Sequence, residues 1–467
     1  MILVILEIKV ILNLMFKKIE IWILYLVILF GIPVTIGFSS IVRHELLGGK
    51  RLGNISKAAL FLAEIPSNIK NISKNKNVHL LEDRFPLLDG FNGTPNSSES
   101  YLLLTRYDGN LKQGVVDLVD LMSFSVLHTW NPNIDKFNEP IENYEKFKFI
   151  KRDRNDSRNL LRHPLLLEDG SLVFHHLTPL RKIDSCSKLI FQNTLDKSHH
   201  SIETDIEGNI WGPSFIYPQT LPKEIVGRKH ILEDGSKEDG LLKISPAGKI
   251  LFRRSLSQIF LDNNLENYLF GYGHLYTRDP LHLNDIQPVN FDGDYWRKGD
   301  LFLSLRNQSM IVLYRPSNNK IVWKIQGPFF NQHDVDILDD HRISIFNNRM
   351  QKLHDNKLRV DGNNEVIIYN FKNGQFSSYL EDSLIKNDVR TKNQGLNQIL
   401  SNGDLFVEET NYGRTLYFDS DGSLRWTHVN KADDGKVYSI GWSRILYTSE
   451  DISNVKNFLN NKSKCNG

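Results

Sequence analysis

From about Tyr101 onward, apolar and polar residues alternate in short runs, and the runs end at turns of the Asp-Gly, Asn-Gly or Gly-Asn type. Period-two alternation bounded by such turns predicts half-buried β-strands, and few stretches in this region carry helical spacing. The runs recur as a compound unit: an apolar strand, a Gly or Asp turn, a second strand, and an ending of the form Asp-x-x-Gly-x-apolar-x-Trp. One unit runs from His163 to Gln192; a second starts at "HSIETDIEGNIW" and is completed by "LLKISPAGKILFR", with a long insertion between about Gly212 and Gly240. A third spans His282 to Ile325, a fourth joins "HDVDILDDHRISIFNN" to "EVIIYNFKNGQF", and a fifth is "LNQILSNGDLFVEETNYGRTLYFDSDGSLRWTHV". A weaker copy covers Tyr101 to Trp130. Six four-stranded units of about 40–60 residues predict an all-β, six-bladed propeller, because a closed ring of blades packs sheet faces together and hides strand edges. "GKVYSIGWSRILY", Gly435 to Tyr447, is expected to close the ring by joining the first or last blade.

The N-terminal pattern is different. Ile21 to Val42 is an uncharged apolar run long enough, as a helix, to cross a bilayer core of about 30 Å. Lys17 and Lys18 precede it while Arg43, His44 and Glu45 follow, so the charge bias puts the N-terminus in the cytoplasm and the bulk of the chain outside, periplasmic or extracellular. A cleaved signal peptide is the rival reading, although its apolar region is normally only about 7–15 residues. Residues before Met15 have the look of an over-extended start. "SKAALFLAEIP" predicts a short helix capped at Ser56 and stopped at Pro66, followed by polar, Asn- and Ser-rich chain. The expected organisation is 1–20 cytoplasmic, 21–42 transmembrane, 43–95 linker with a short helix, 96–450 propeller, and 451–467 polar tail.

Composition narrows the function. Lys plus Arg number 57 against 55 Asp plus Glu, a net charge of +2, so no field of one sign argues for nucleic acid. The two cysteines, Cys186 and Cys465, lie far apart and offer neither a disulfide framework nor paired thiolate ligands.

The candidate chemistry comes from phase. Three successive units begin their inner strand with a histidine: His200 in "HHSIETD", His282 in "LHLNDIQ" and His333 in "QHDVDIL". A propeller aims such equivalent positions at one funnel. Arg306 ends the strand after His282, and histidines beside a guanidinium suit a sulfate or phosphate oxyanion. A neutral imidazole there is a nucleophile or a proton carrier. His199 can replace His200 in this role, since adjacent strand residues face opposite ways. Asp334 orients His333 or merely flanks the strand, and Asn284 and Arg349 are further candidate substrate contacts. Three histidines could also hold zinc, but Arg306 would repel the cation, so no metal and no cofactor are expected. The His175–His176 pair reads as core or surface.

These segments resemble the bacterial arylsulfate sulfotransferase family. "DPLHLNDIQ" followed by "GDLFLSLRNQS" is similar to its Asp-x-x-His-x-Asn segment and the strand ending Ser-x-Arg, and "QHDVDILDDHRISIFNNR" resembles its Gln-His strand leading to Phe-Asp-Asn-Gly. "HHSIETDIEGNIW" resembles its His-His segment before a Gly-Asn turn. The resemblance implies a propeller enzyme working outside the cytoplasm that moves sulfate from an aryl sulfate to a phenolic acceptor without a nucleotide donor. It implies that His333 is a nucleophile forming a sulfohistidine, with His200, His282 and Arg306 binding the sulfuryl oxygens and managing the phenol proton. A non-catalytic propeller binding sulfated or other anionic glycans is the alternative; a quinone-dependent dehydrogenase lacks its adjacent-cysteine pair.

Overall fold

The computed structural model describes residues 20–46, 51–73, 78–141, 145–147, 149–226, 237–271, 276–355 and 357–461. They fall into two compact units, Met1–Lys76 and Asn77–Gly467. In the first unit the apolar run forms the helix Ile21–Leu46, with no acidic residue in its first turn and no buried side chain. A second helix, Gly53–Ser73, contains Pro66. The expected stop at Pro66 is therefore corrected: proline removes one donor, and a helix that bends around the gap can continue past it. Ser56, expected as a cap, instead bonds Glu45 at the end of the first helix and the Gly53 carbonyl.

The second unit is an all-β, propeller-like array. Arg444–Leu446, Tyr101–Asp108, Gln113–Asp120 and Ser125–Trp130 form one four-stranded antiparallel sheet, so the chain returns after the last repeat to supply the innermost strand of the first. Further four-stranded sheets are Leu283–Pro288 to Lys320–Gln326, and Val335–Ile337, Arg342–Asn347, Glu365–Asn370 and Gln375–Ser378. Leu396–Ile399, Leu405–Glu409, Arg414–Phe418 and Leu424–Val429 gain a fifth strand, Gly90–Gly93, from the stretch read as linker. An eight-stranded sheet runs from Arg162–Leu166 to Ile250–Ser255, and its halves meet through Ser214–Ser198 and Phe215–Lys197.

Apolar clusters fill the seams. Trp211 and Leu241 meet Leu283 and Leu303; Phe302 and Leu313 meet Val335 and Ile343; Phe346 and Val366 meet Leu405 and Val407. Phe406 and Trp426 meet Leu102 and Leu104, and Leu118 and Trp130 meet Leu172 and Phe174. Within the eight-stranded sheet, Leu165 and Val173 of one half pack on Ile202, Ile210 and Leu242 of the other. Strand alternation sends one face to each neighbour, which is what the sequence period encodes.

Two terminal expectations change. Ser449–Asn461, read as polar tail from residue 451, is an amphipathic helix whose Val455 and Phe458 are buried, with Phe458 stacked on Trp130 at 5.3 Å. Residues 462–467 of that tail lie outside the described residues. Cys186 is disulfide-bonded, although the spacing of the cysteines suggested no framework.

Candidate functional site

Antiparallel order puts the starts of the inner strands at one end of every sheet. The residues there share an uncommon backbone: His163, His200, His282, Gln394 and Trp442 have φ of 51, 59, 56, 59 and 67°, and Asn331, two residues before His333, has 54°. Left-handed non-glycine residues are costly and concentrate where a site over-determines them. Here they turn the chain inward and bring side chains from successive sheets onto one funnel.

His200, His282, His333 and Arg306 meet there. The His200 ring lies 5.2 Å from His282 and 6.1 Å from His333, centroid to centroid, and Arg306 Nη2 is 3.4 Å from His282 Nδ1. Trp442 closes one side, 6.3 Å from His200 and 6.1 Å from His333. Arg306 sits on a single turn after Leu301–Leu305, and its amide donates to the His282 carbonyl at 3.0 Å, so one hairpin positions both side chains.

Hydrogen-bond partners assign the ring protons. Asn348 donates its amide to the Thr391 and Gln394 carbonyls, so its Oδ1 must accept from His333 Nδ1–H, at 2.7 Å. His333 Nε2 is thereby a lone pair, and it accepts from the Gln394 backbone N–H at 3.0 Å. His282 Nδ1–H donates to Asp279 at 2.5 Å, leaving Nε2 buried and without a partner. His199 Nε2 lies 3.3 Å from Asp239 without a hydrogen bond to it, and the Nδ1 atoms of His199 and His200 share a hydrogen bond at 2.7 Å. His282 thus presents a bare Nε2, and His333 a lone pair on Nε2 that the Gln394 amide covers.

Burial, with the charge of Arg306 next, holds His333 well below the ordinary histidine value; burial and the neighbouring imidazoles do the same to His200. Burial also lowers His282 against the pull of Asp279. Burial would raise Asp279, but the His282 hydrogen bond and the charges of Lys237 and Arg306 bring it down to about 2. Neutral imidazoles beside a permanent guanidinium are the kind of group that suits an oxyanion and can offer it nucleophilic nitrogen.

Other expected residues are placed differently. His199 stands behind His200, stacked on Phe215. Asn284 is buried, donates to the Gln332 carbonyl and has a free Oδ1. Asp334 accepts from the Asn397 amide and, with Asp336, Glu203 and Arg444, lines a cavity of about 140 Å³ that His163 and Trp442 also border. It does not bond the His333 ring, which Asn348 holds instead. Arg349 pairs with Glu365 at 2.6 Å and lies 3.8 Å from Asp361. His175, read as core or surface, donates its Nε2–H to the His200 carbonyl at 2.8 Å. Sequence reasoning did not single out Asp279, Asn348, Gln394, His163 or Trp442. Asp279 stands in the quoted Asp-x-x-His segment and His163 opens a repeat, so both carried a signal; Gln394 and Trp442 could have been found only by aligning the repeats on phase. Among the described residues, Asp339, Asp340 and His341 form the group compact enough to suit a metal, at the other end of Val335–Ile337 from His333.

Residues 163–431 match the model of the family described as Arylsulfotransferase (ASST). No curated protein matches the chain. Solved structures of similar shape include a protein of unknown function from Bacteroides caccae (10% identity, TM-score 0.43, covering 74% of this chain and 99% of that one). Kuenenia stuttgartiensis hydrazine synthase (12%, 0.38, 66% and 71%) and virginiamycin B lyase from Staphylococcus aureus (11%, 0.30, 58% and 70%) are also similar.

Proposed function

Because the chain belongs to the arylsulfotransferase family, we propose that it transfers a sulfuryl group from an aryl sulfate to a phenolic or other hydroxyl acceptor through a covalent intermediate on His333. The observation that carries this reading is the assembly of His200, His282, His333 and Arg306 around one funnel, with the His333 tautomer fixed by Asn348.

In the first step, Nε2 of His333 attacks sulfur, an N–S bond forms, and the S–O bond to the aryl group breaks. Arg306 balances the charge on the sulfuryl oxygens, where a positioned cation in a buried pocket is worth far more than in water. The aryl group departs as a phenolate, facing the Arg306 charge, and takes its proton from solvent. In the second step the acceptor hydroxyl gives its proton to the bare Nε2 of His282, which Asp279 orients from behind, and attacks sulfur; the N–S bond breaks, His333 is restored, and His282 passes the proton to solvent. Two displacements at one site give ping-pong kinetics.

The scaffold in this reading has six blades: four sheets of four or five strands, and the eight-stranded sheet counted as two because its halves pack face to face. The apolar helix is the anchor of a domain exposed outside the cytoplasm, a reading supported by Lys17 and Lys18 ahead of the helix and by the disulfide at Cys186, which suits an oxidising compartment. Asn284 and His199 support the pocket from behind, while Asp334 and Arg349 take no part in the transfer.

Incubation with 4-nitrophenyl sulfate and a phenol tests the reading. It expects acceptor-dependent nitrophenol release and an acid-labile sulfuryl label on His333, both lost in His333→Asn. A wild-type protein that binds aryl sulfates without release or label, over a range of donors, overturns it in favour of a binding propeller for anionic ligands.

A further inference from the structure

A second group of cations lies at the same end of the sheets. Arg162 opens its strand and is the cross-strand partner of His175, whose ring reaches the His200 carbonyl. Its neighbour His163 has its ring 3.6 Å from that of Trp442, the indole that also faces His200 and His333. Trp442 follows Gly441, where a Cβ would stand 3.1 Å from Arg162 Cγ, so the arginine stem runs against the wall of the funnel.

No carboxylate answers Arg162. Its Nε is buried without a hydrogen-bond partner, and among the described residues it makes no ion pair. The nearby carboxylate of Glu408 is already taken by the Thr410 hydroxyl and the amides of Trp442 and Ser443, at 2.7, 2.6 and 2.7 Å. Arg154 spends its guanidinium on two carbonyls, those of His176 and Asp153. Asp153, the acid beside Arg154, is held by Arg152 at 2.8 Å. Burial, with Arg154 next, brings Arg162 down to about 10, and burial lowers Arg154 as well. A buried guanidinium that makes no ion pair is costly unless an anion completes it.

We infer that Arg162, with the charge of Arg154 behind it, forms an anion subsite beside the histidine pocket, which holds a second acidic substituent on the aromatic ring of the substrate. This rests on the sulfotransfer reading and narrows it: the substrates are aryl sulfates and phenols whose ring also carries a carboxylate or another oxyanion. Donor and acceptor occupy the same place in turn, so one subsite serves both.

The test compares 4-nitrophenyl sulfate with its ring-carboxylated analogue on the full-length protein. The wild type is expected to prefer the carboxylated donor by about tenfold in kcat/KM, mostly through KM, as one charge-assisted hydrogen bond allows. Arg162→Gln should erase the preference, Arg162→Lys should keep part of it, and Arg154→Gln should reduce it, each variant being checked by its melting curve. No preference in the wild type, or an equal loss with both donors in Arg162→Gln, overturns the subsite. If the wild type turns over neither donor, sulfotransfer fails as a reading, and titration calorimetry with isophthalate against benzoate decides the subsite alone. Tighter isophthalate binding that Arg162→Gln abolishes supports it; equal binding overturns it.

Discussion

The backbone N–H of Gln394 donates to Nε2 of His333 at 3.0 Å, which places a donor on the lone pair that attacks sulfur in the proposed transfer. Both cannot hold at once, so the Gln394 amide must leave before an N–S bond forms. Its residue is set for such a shift: Gln394 has φ 59°, and Gly395 after it, at φ 87°, has no room for a Cβ, which would meet Thr391, Phe346 and the Glu408 carbonyl at 2.6, 2.7 and 2.9 Å. In Gln394→Gly the left-handed cost of about 1 kcal/mol is gone, so the conformation that covers Nε2 is stabilised and the nitrophenol burst should slow a few-fold. A burst unchanged in that variant means that release of the amide does not limit attack.

Asn348 fixes the His333 tautomer, and so which nitrogen attacks in the proposed transfer. Removing its Oδ1 in Asn348→Leu frees the proton of His333 to move to Nε2, and by comparison with wrong-tautomer variants elsewhere kcat should fall on the order of 10²-fold or more with little change in KM. Asn348→Asp keeps an acceptor and should retain more activity than Asn348→Leu. An equal loss in both variants would point to a packing role for the side chain.

The pH profile follows from burial. In the proposed transfer the reactive form of His333 is neutral, and burial with Arg306 beside it holds the ring well below the ordinary value near 6.5. The kcat/KM for donor should therefore stay level as pH falls from 8 through 6.5, and decline only well below that. A midpoint at about 6.5 in the acidic limb would show an imidazole open to water.

What the sequence made legible, and what it did not, divides along the range of the interactions. Strand period and turn residues are local, so the repeats, the strand returning at Arg444–Leu446 and the phase of His200, His282 and His333 could be read directly. Asn348 and Gln394 act on His333 from a strand end and from a loop of the next sheet, and no spacing announces that. The four-residue strand Gly90–Gly93 is too short and glycine-rich to show a period, yet it pairs with Leu424–Val429. The C-terminal helix was hidden by its many Asn and Ser residues, although Val455 and Phe458 fall three apart on one face. Phe458 is 4% exposed and stacked on Trp130, so Phe458→Ala should cost about 3–5 kcal/mol in chemical denaturation.

The channel beneath the histidines sets a stability test with a definite sign. Burial, then Asp285 and Glu203, push Asp336 well above the ordinary carboxylate value, while burial and Glu203 bring Asp285 up to about 7. Arg444 is the nearby cation, and it is bound to Glu203 at 3.0 and 2.9 Å. A carboxyl whose folded value is raised binds its proton more tightly in the fold than in the unfolded chain. Its contribution is present at pH below about 4 and is lost as pH climbs toward the folded value. Asn is neutral throughout and has nearly the same shape. Asp336→Asn should therefore melt close to the wild type at pH 4 and above it at pH 8, while the buried histidines, common to both proteins, cancel in the difference. If Asp336 were a counterion that Arg444 needs, the variant would melt below the wild type at pH 8, so scanning calorimetry at the two pH values separates the cases.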